Sequence, residues 1–391
     1  MLNFDFQIKT KIIFGKDRHL EVGKILKENG VNKVLVFIGQ GSVKRSGLLD
    51  TVLSCLEKEN IDYKVLEGVR PNPTVDLVKE FLAVAKEYQP DFLLPIGGGS
   101  VIDTAKLVAV GYYYDGDCFD FNLHKAVPEK GIPLGVILTI SASGSEMSTS
   151  CVVQDDITME KMGFNSEVIR PVFAIENPEL TYSVSKYQTM CGIVDIMMHT
   201  MERYFQPSAE LEPCDGFAES LLKSVMKAGT IAINNPKDYE GRAVLMLMSS
   251  LSHNGLTNIG KVPFLHVHKL EHALSGVYPE VAHGAGLAVL FPAWAKVYLN
   301  YDPDKFDSFA RNVFGCNNPD KIENSKEGIK ALEEYFRSIG APLTLKELGI
   351  ENPDIDKLVN VLTEGGKKGI PHYKKPTDAA LARIIYESCV N

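Results

Sequence analysis

The chain changes its hydrophobic period near its midpoint, and that change restricts the fold more than any other feature. In the first half, short apolar runs alternate with helical patterns. Residues 33–38 (KVLVFI), 63–66, 91–96 (DFLLPI) and 133–140 read as strands, and residues 47–60, 74–87 and 100–110 as helices. Strands separated by helices of about 10–15 residues imply parallel βαβ units. Their nearly continuous apolar character implies burial on both faces. From residue 186 onward the helical period dominates, over 186–204, 212–234, 239–258, 264–275, 285–300, 325–339 and a tail near 377–389. The expected architecture is an α/β domain over residues 1–182 and an all-α domain over 183–391. The N-terminal stretch MLNFDFQIKTKIIFGKD also reads as strand.

A length of 391 residues suits two domains of ordinary size. The net charge is −9 and no Lys/Arg run stands out, so a nucleic-acid partner is not expected. Seven scattered cysteines form no CxxC pair, which argues against a disulfide framework or a thiolate zinc site. No stretch approaches the ~18 apolar residues that span a bilayer, and the N-terminus has no apolar h-region. A cytoplasmic, reduced protein without a membrane partner is expected.

Two segments carry chemistry in the first half. Residues 91–106 read DFLLPIGGGSVIDTAK: an apolar strand, then Gly97, Gly98 and Gly99, then a helix beginning near Ser100. Glycines let the backbone approach a phosphate, and a helix N-terminus offers N–H groups and partial positive charge. This is a pyrophosphate-binding arrangement by mechanism, although it is neither GxGxxG nor a P-loop. Asp103 lies one turn into that helix, and Lys106 reads as solvent-facing. A second glycine cluster, Gly39, Gln40, Gly41 and Ser42, follows the first clear strand. Gly39 stands where many dinucleotide sites carry a ribose-binding acid, with Lys44 and Arg45 just beyond. A missing acid with nearby cations suits NADP(H), while Lys44 and Arg45 equally fit a solvated helix face. Residues 139–146 (TISASGSE) place small hydroxyl residues at a third strand end, where open α/β sheets bind ligands.

The second half carries a metal pattern. Asp195 and His199 stand at i and i+4 in GIVDIMMHTMERYF, on one helix face. Five of the nine histidines fall between His253 and His283, with His268 and His272 again at i and i+4. Three imidazoles and one carboxylate suit Fe(II), Zn(II), Co(II) or Mn(II). Spacing does not choose among His266, His268, His272 and His283. Cys191, one turn before Asp195, reads as core.

The joint pattern of TKIIFGKD, GGGSVIDTAK, SASGSEMS, FAIENPELTY, GIVDIMMHTMERYF, HKLEHALSG and VAHGAGLAVL resembles the iron-containing (group III) alcohol dehydrogenases, whose fold is shared with dehydroquinate synthase. Within them it looks most like the NADPH-dependent butanol dehydrogenases and aldehyde reductases. The resemblance implies that Asp195, His199, His268 and His283 hold a divalent metal, iron by family habit, with zinc or cobalt as alternatives. It implies that His272 lies beside the nicotinamide, off the metal, as the catalytic candidate. It puts Gly97, Gly98, Gly99 and Ser100 on the pyrophosphate, with Asp103 nearby. Thr139, Ser143 and Lys161 would line the adenosine and ribose parts of the groove, and Gly39, Gly41 and Ser42 would favour NADP(H). Ser148 departs from the Asn of many members. The implied activity is reversible hydride transfer between NADPH and small aldehydes or primary alcohols, in a cytoplasmic homodimer joined through the N-terminal strands. A lyase of the same fold is the alternative, as is a non-catalytic binding protein; the Lys/Arg density that such a lyase needs around its substrate is not evident in these motifs.

Overall fold

The computed structural model describes residues 3–158, 161–207, 212–262 and 264–391. Its chain forms two compact units. One comprises Gln7–Ser183 and Ser249–Asn254; the other comprises Val184–Met248 and Gly255–Asn391, together with the N-terminal residues through Phe6.

The first unit is built on a six-stranded sheet in the order β1-β8-β5-β4-β2-β3, every pairing parallel. The strands are β1 (Lys11–Phe14), β2 (Lys33–Gly39), β3 (Asp62–Val69), β4 (Phe92–Gly97), β5 (Gly135–Leu138) and β8 (Phe173–Glu176). Helices α1 (Val22–Glu28), α2 (Ser42–Arg45), α3 (Leu48–Lys58), α4 (Val75–Tyr88) and α5 (Gly99–Gly111) connect them. The apolar run of β2 divides by alternation, as strand geometry demands. Leu35 and Phe37 enter one core with Val78 and Phe81 of α4 and Ala105 and Val108 of α5. Val34, Val36 and Ile38 enter another with Leu26 of α1 and Val52 and Leu56 of α3. Both faces are therefore covered, which is why these strands read as unbroken hydrophobic sequence.

The chain direction across the sheet reverses at β2. It steps outward to β3, then returns through α4 to β4 on β2's other side. The Ile38–Ile96 pair is the last in the β2–β4 register, so Gly39–Ser42 and Gly97–Ser100 leave neighbouring strand ends. Open α/β sheets bind ligands at this kind of switch point. A two-stranded antiparallel hairpin, β6 (Ser150–Gln154) with β7 (Lys161–Asn165), and the strand β8 were not anticipated from sequence. The runs of β6 and β7 are five residues each and only partly apolar, and that of β8 is only four residues long.

In the second unit all the labelled elements are helical: α6 (Lys186–Tyr204), α7 (Glu212–Asn234), α8 (Tyr239–Ser252), α9 (His266–Val277), α10 (His283–Tyr298), α11 (Pro303–Phe309), α12 (Lys321–Ser338), α13 (Ile355–Thr363) and α14 (Ala379–Glu387). The last turn of α8 groups with the first unit. Ser185 caps α6, its side chain accepting from the Gln188 N–H at 3.1 Å. From Thr189 to its end α6 is buried all round, packed by α7 and α10. Among the described residues no helix is long and apolar enough to cross a membrane. All seven cysteines are free thiols.

Candidate metal centre and cofactor loops

Asp195 and His199 sit one turn apart on α6, His268 begins the second half-turn of α9, and His283 is the first residue of α10. Three helices thus bring four side chains to one point. Asp195 Oδ1 lies 3.5 Å from His199 Nδ1, 3.5 Å from His268 Nε2 and 3.7 Å from His283 Nε2. Donors on one tetrahedral ion at ordinary metal–nitrogen distances stand about 3.4 Å apart. Asp195, His199 and His268 are buried. Asp195 Oδ1 and His268 Nε2 have no hydrogen-bond partner among the described residues, an expensive condition unless a cation completes them. The donor set fits a divalent metal.

Two buried carboxylates not singled out in the sequence complete this arrangement. Glu202 accepts from His268 Nδ1 and from the backbone N–H groups of Val267 and His268, the latter at 3.3 Å. Glu271 accepts from His283 Nδ1. Each turns its imidazole so that Nε2 faces Asp195. The signal was present: Glu202 lies seven residues after Asp195, two turns on along the same helix face, and Glu271 stands three residues after His268. Burial alone would lower the His268 pKa, but Glu202 and Asp195 raise it to about 9. An entering ion must displace that proton, so metal uptake releases one. Glu202→Gln weakens this orientation while keeping its shape. We expect a 10–100-fold loss of metal affinity with the helices intact, read by competition with a chelator and by circular dichroism.

His272 is half-buried, its ring centroid 6.4 Å from that of His268 and 5.8 Å from that of His283. His266, two residues before a ligand candidate, turns away to a separate buried cluster. It pairs with Thr377 at 2.5 Å and approaches the Tyr298 hydroxyl at 3.4 Å, and burial holds it down to about 3. Burial pushes the Cys191 thiol up to about 12, so it stays a neutral core residue.

In the first unit, helix α5 starts at Gly99 with no side chain capping its N-terminus. The glycines there are required by packing as well. A Cβ on Gly98 would stand 2.3 Å from Ile140 Cγ2, and one on Gly99 would stand 2.4 Å from Ser143 Oγ. The turn after β4 thus lies flat against the loop after β5, and Thr139 N–H bonds the Gly97 carbonyl at 3.1 Å.

Lys106 does not face solvent. It is fully buried, donating to the carbonyls of Ser145, Ser148 and Ser150 and to the hydroxyls of Ser145 and Ser148 at 2.7–3.2 Å. Burial lowers its pKa to about 8 while Asp103 holds it up. Asp103 accepts from Ser145 Oγ at 2.6 Å and from the Val152 N–H at 2.9 Å, so its carboxylate is engaged within the protein. Ser148, the departure noted above, is spent on Lys106. Lys161 opens β7, close enough for its charge to act on Asp103.

At the end of β2, Gly41 has φ +111°, a conformation that favours glycine. A Cβ on Gly39 would stand 3.3 Å from the Val69 carbonyl, so an acid there would crowd the sheet edge. Lys44 is ion-paired with Glu67, while the Arg45 guanidinium lies against Gly41.

A parallel nucleotide-type sheet with an uncapped glycine turn, followed by a helical unit holding a three-His, one-Asp cluster, is the arrangement of a metal- and nucleotide-dependent enzyme. The chain belongs to the iron-containing alcohol dehydrogenases. Residues 9–178 match the model for iron-containing alcohol dehydrogenase, and residues 189–388 match that for the C-terminal part of the Fe-containing alcohol dehydrogenase family. It is 41% identical to NADH-dependent butanol dehydrogenase A of Clostridium acetobutylicum, over 94% of this chain and 95% of that one. It is 30% identical to the NADPH-dependent aldehyde reductase YqhD of Escherichia coli, over 99% and 100%. The crystal structure of NADH-dependent butanol dehydrogenase A from Thermotoga maritima superposes with a TM-score of 0.96 at 35% identity, covering 100% of this chain and 99% of that one. The protein is an alcohol/aldehyde oxidoreductase, and these relatives do not favour a lyase.

Proposed function

We propose that the chain reduces small aldehydes with NADPH, and oxidises the corresponding primary alcohols in reverse, at a divalent ion held by Asp195, His199, His268 and His283. The observation that carries this reading is the convergence of three imidazoles on one buried carboxylate oxygen that has no hydrogen-bond partner among the described residues. When bound, the metal supplies Lewis acidity to the substrate oxygen and the nicotinamide exchanges hydride with the substrate carbon. The residues of the chain do the rest. Asp195 contributes the negative charge that draws a cation into a buried site. Glu202 and Glu271 hold His268 and His283 in the tautomer that presents Nε2. His272, half-buried near His283, moves the proton that hydride transfer leaves to be exchanged.

The pyrophosphate is assigned to Gly97, Gly98, Gly99 and Ser100, with Thr139, Ser143 and Lys161 along the adenosine and ribose, and Asp103 supporting the loop that carries them. The preference for NADP(H) is supported by the absence of an acid at Gly39, Gly41 and Ser42 and by Arg45 beside Gly41. The relatives carry both NADH-dependent and NADPH-dependent names. We assign iron to the site by family, and propose a cytoplasmic homodimer. The dimer is supported by the exposed Phe4, Phe6 and Ile8 and by the edge position of β1.

The test is a rate screen over C2–C8 aldehydes with NADPH and NADH, with metal analysis of the same sample. NADPH is expected to be preferred. Arg45→Ala should lower kcat/KM for NADPH about 10–100-fold and leave NADH unchanged, the worth of one charged hydrogen bond to a phosphate. An unchanged ratio would remove the basis for NADP(H).

A further inference from the structure

We propose that Glu146 and Glu176 share one proton across Ser250, with Glu176 as the neutral acid, and that this bridge locks the 139–149 loop against the glycine turn. Both glutamates and Ser250 are fully buried, at 1%, 0% and 0% exposure. Ser250 Oγ lies 2.7 Å from Glu146 Oε1 and 2.6 Å from Glu176 Oε1. A serine hydroxyl has one proton and can donate to only one carboxylate. The second short oxygen–oxygen contact needs a proton of its own, and the carboxyl group is its source. Two ionised carboxylates so close, away from water, would also repel strongly.

The surroundings say which acid keeps the proton. Glu146 has the Lys106 charge nearby and a second hydroxyl, Ser249 Oγ, at 3.5 Å. Among the described residues no cation acts on Glu176, and its other oxygen, Oε2, is buried without a partner. An ionised oxygen in that position costs far more than a carbonyl. The Ser250 proton therefore goes to Glu146, and the Glu176 proton goes to Ser250 Oγ. Burial and the Glu146 charge together raise Glu176 to about 8. The other charged or titratable groups around the bridge are Asp103 on α5, Arg170, whose guanidinium donates to the Met147 carbonyl, and His253, whose Cβ faces Gly144.

The bridge is one side of a clamp. Asp103 and Lys106 grip the loop from α5. On the other side Ser249 Oγ meets both the Ala142 N–H and its carbonyl, at 3.1 and 3.2 Å. Gly144 adopts φ +66° and passes so close that a Cβ there would stand 2.6 Å from the Ser249 carbonyl. Glu146 ties the middle of this loop to Glu176 at the end of β8. An acid whose folded pKa is raised contributes its stability in full below the unfolded value and loses it as pH rises through the folded value. The bridge therefore weakens from about pH 5 to about pH 9.

Infrared spectroscopy of the full chain tests this directly. At neutral pH the wild type should show the carbonyl stretch of a protonated carboxylic acid. Glu176→Gln should lose that band and Glu146→Gln should keep it. No band in the wild type, or a band unchanged in Glu176→Gln, overturns the proposal. Thermal melting gives an independent reading. Glu176→Gln is expected to melt with the wild type at about pH 5 and above it at about pH 9, because the amide donates to Ser250 and cannot ionise. Parallel melting curves overturn the proposal. If Glu176→Gln does not fold, Glu146→Gln serves, since removing the neighbouring negative charge should make the Glu176 band titrate away at lower pH than in the wild type; a band that titrates as in the wild type overturns the proposal.

A consequence for cofactor binding rests on the reading of the glycine turn as a pyrophosphate site. Wild-type affinity for NADPH, followed by its fluorescence, should fall over the same pH range, and that of Glu176→Gln should not. Failure of NADPH and NADH to bind at any pH, with the infrared band present and lost in Glu176→Gln, supports the shared proton and overturns the reading of the turn.

Discussion

His268→Ala is expected to retain no stoichiometric metal and to lose about 10³-fold or more in kcat, while staying folded. Lewis-acid stabilisation is worth several kcal/mol, and each 1.36 kcal/mol is a factor of ten in rate. The fold should survive because Glu202, the carboxylate behind His268, keeps the Val267 and His268 backbone N–H groups as donors. Losing the imidazole therefore costs about 1–3 kcal/mol, the penalty of one missing partner in a buried network. The proton that His268 carries without metal makes a second expectation. Wild-type metal affinity should rise with pH until the imidazole, held at about 9 by Glu202 and Asp195 against burial, is neutral. Metal analysis, far-ultraviolet circular dichroism and steady-state rates on one preparation decide the matter. A metal-free variant with full activity would sink the ligand assignment.

The contrast between His268 and His266 shows what could be read from the sequence. Both lie in one histidine-rich segment two residues apart, and spacing could not separate them. On α9 two residues are about 200° apart, so they face opposite ways. Which way leads to Asp195 is decided by how α9 packs, and that depends on residues as distant as Thr377. The i, i+4 pair on α6 was legible because one helix holds both members. The parallel sheet was legible because burial on both faces leaves unbroken apolar runs. The β6–β7 hairpin was not, since its strands are five residues each and only partly apolar. Lys106 was misread for a related reason. A lysine one turn beyond Asp103 reads as a solvated face, and only the fold brings five oxygens of the 145–150 segment around its ammonium. Glu202 and Glu271 were visible as acids near ligands, but their partners are ring nitrogens whose orientation no sequence shows.

Gly284→Ala should disable the metal centre without altering any ligand. Gly284 follows His283 at the start of α10, and Cys191 lies one turn before Asp195 on α6. A Cβ on Gly284 would stand 2.2 Å from the Cys191 carbonyl oxygen. That atom is helix backbone and cannot rotate aside, so the two helices must part by more than about 1 Å to reach ordinary contact. His283 would move with α10 and Asp195 stay with α6, widening a donor pair now 3.7 Å apart. Overpacking of this kind costs about 1–3 kcal/mol. A misplacement of about 1 Å in a catalytic constellation can cost about 100-fold in rate. The control is Gly216→Ala on α7, where the added Cβ meets nothing within 4 Å among the described residues and the glycine is exposed. That substitution should stabilise the helix by about 0.5–1 kcal/mol and leave metal content and rate unchanged. The pair separates a helix-propensity effect from a packing one. If Gly284→Ala instead bound metal and turned over like Gly216→Ala, the close crossing of α6 and α10 could not be what sets the geometry of the site.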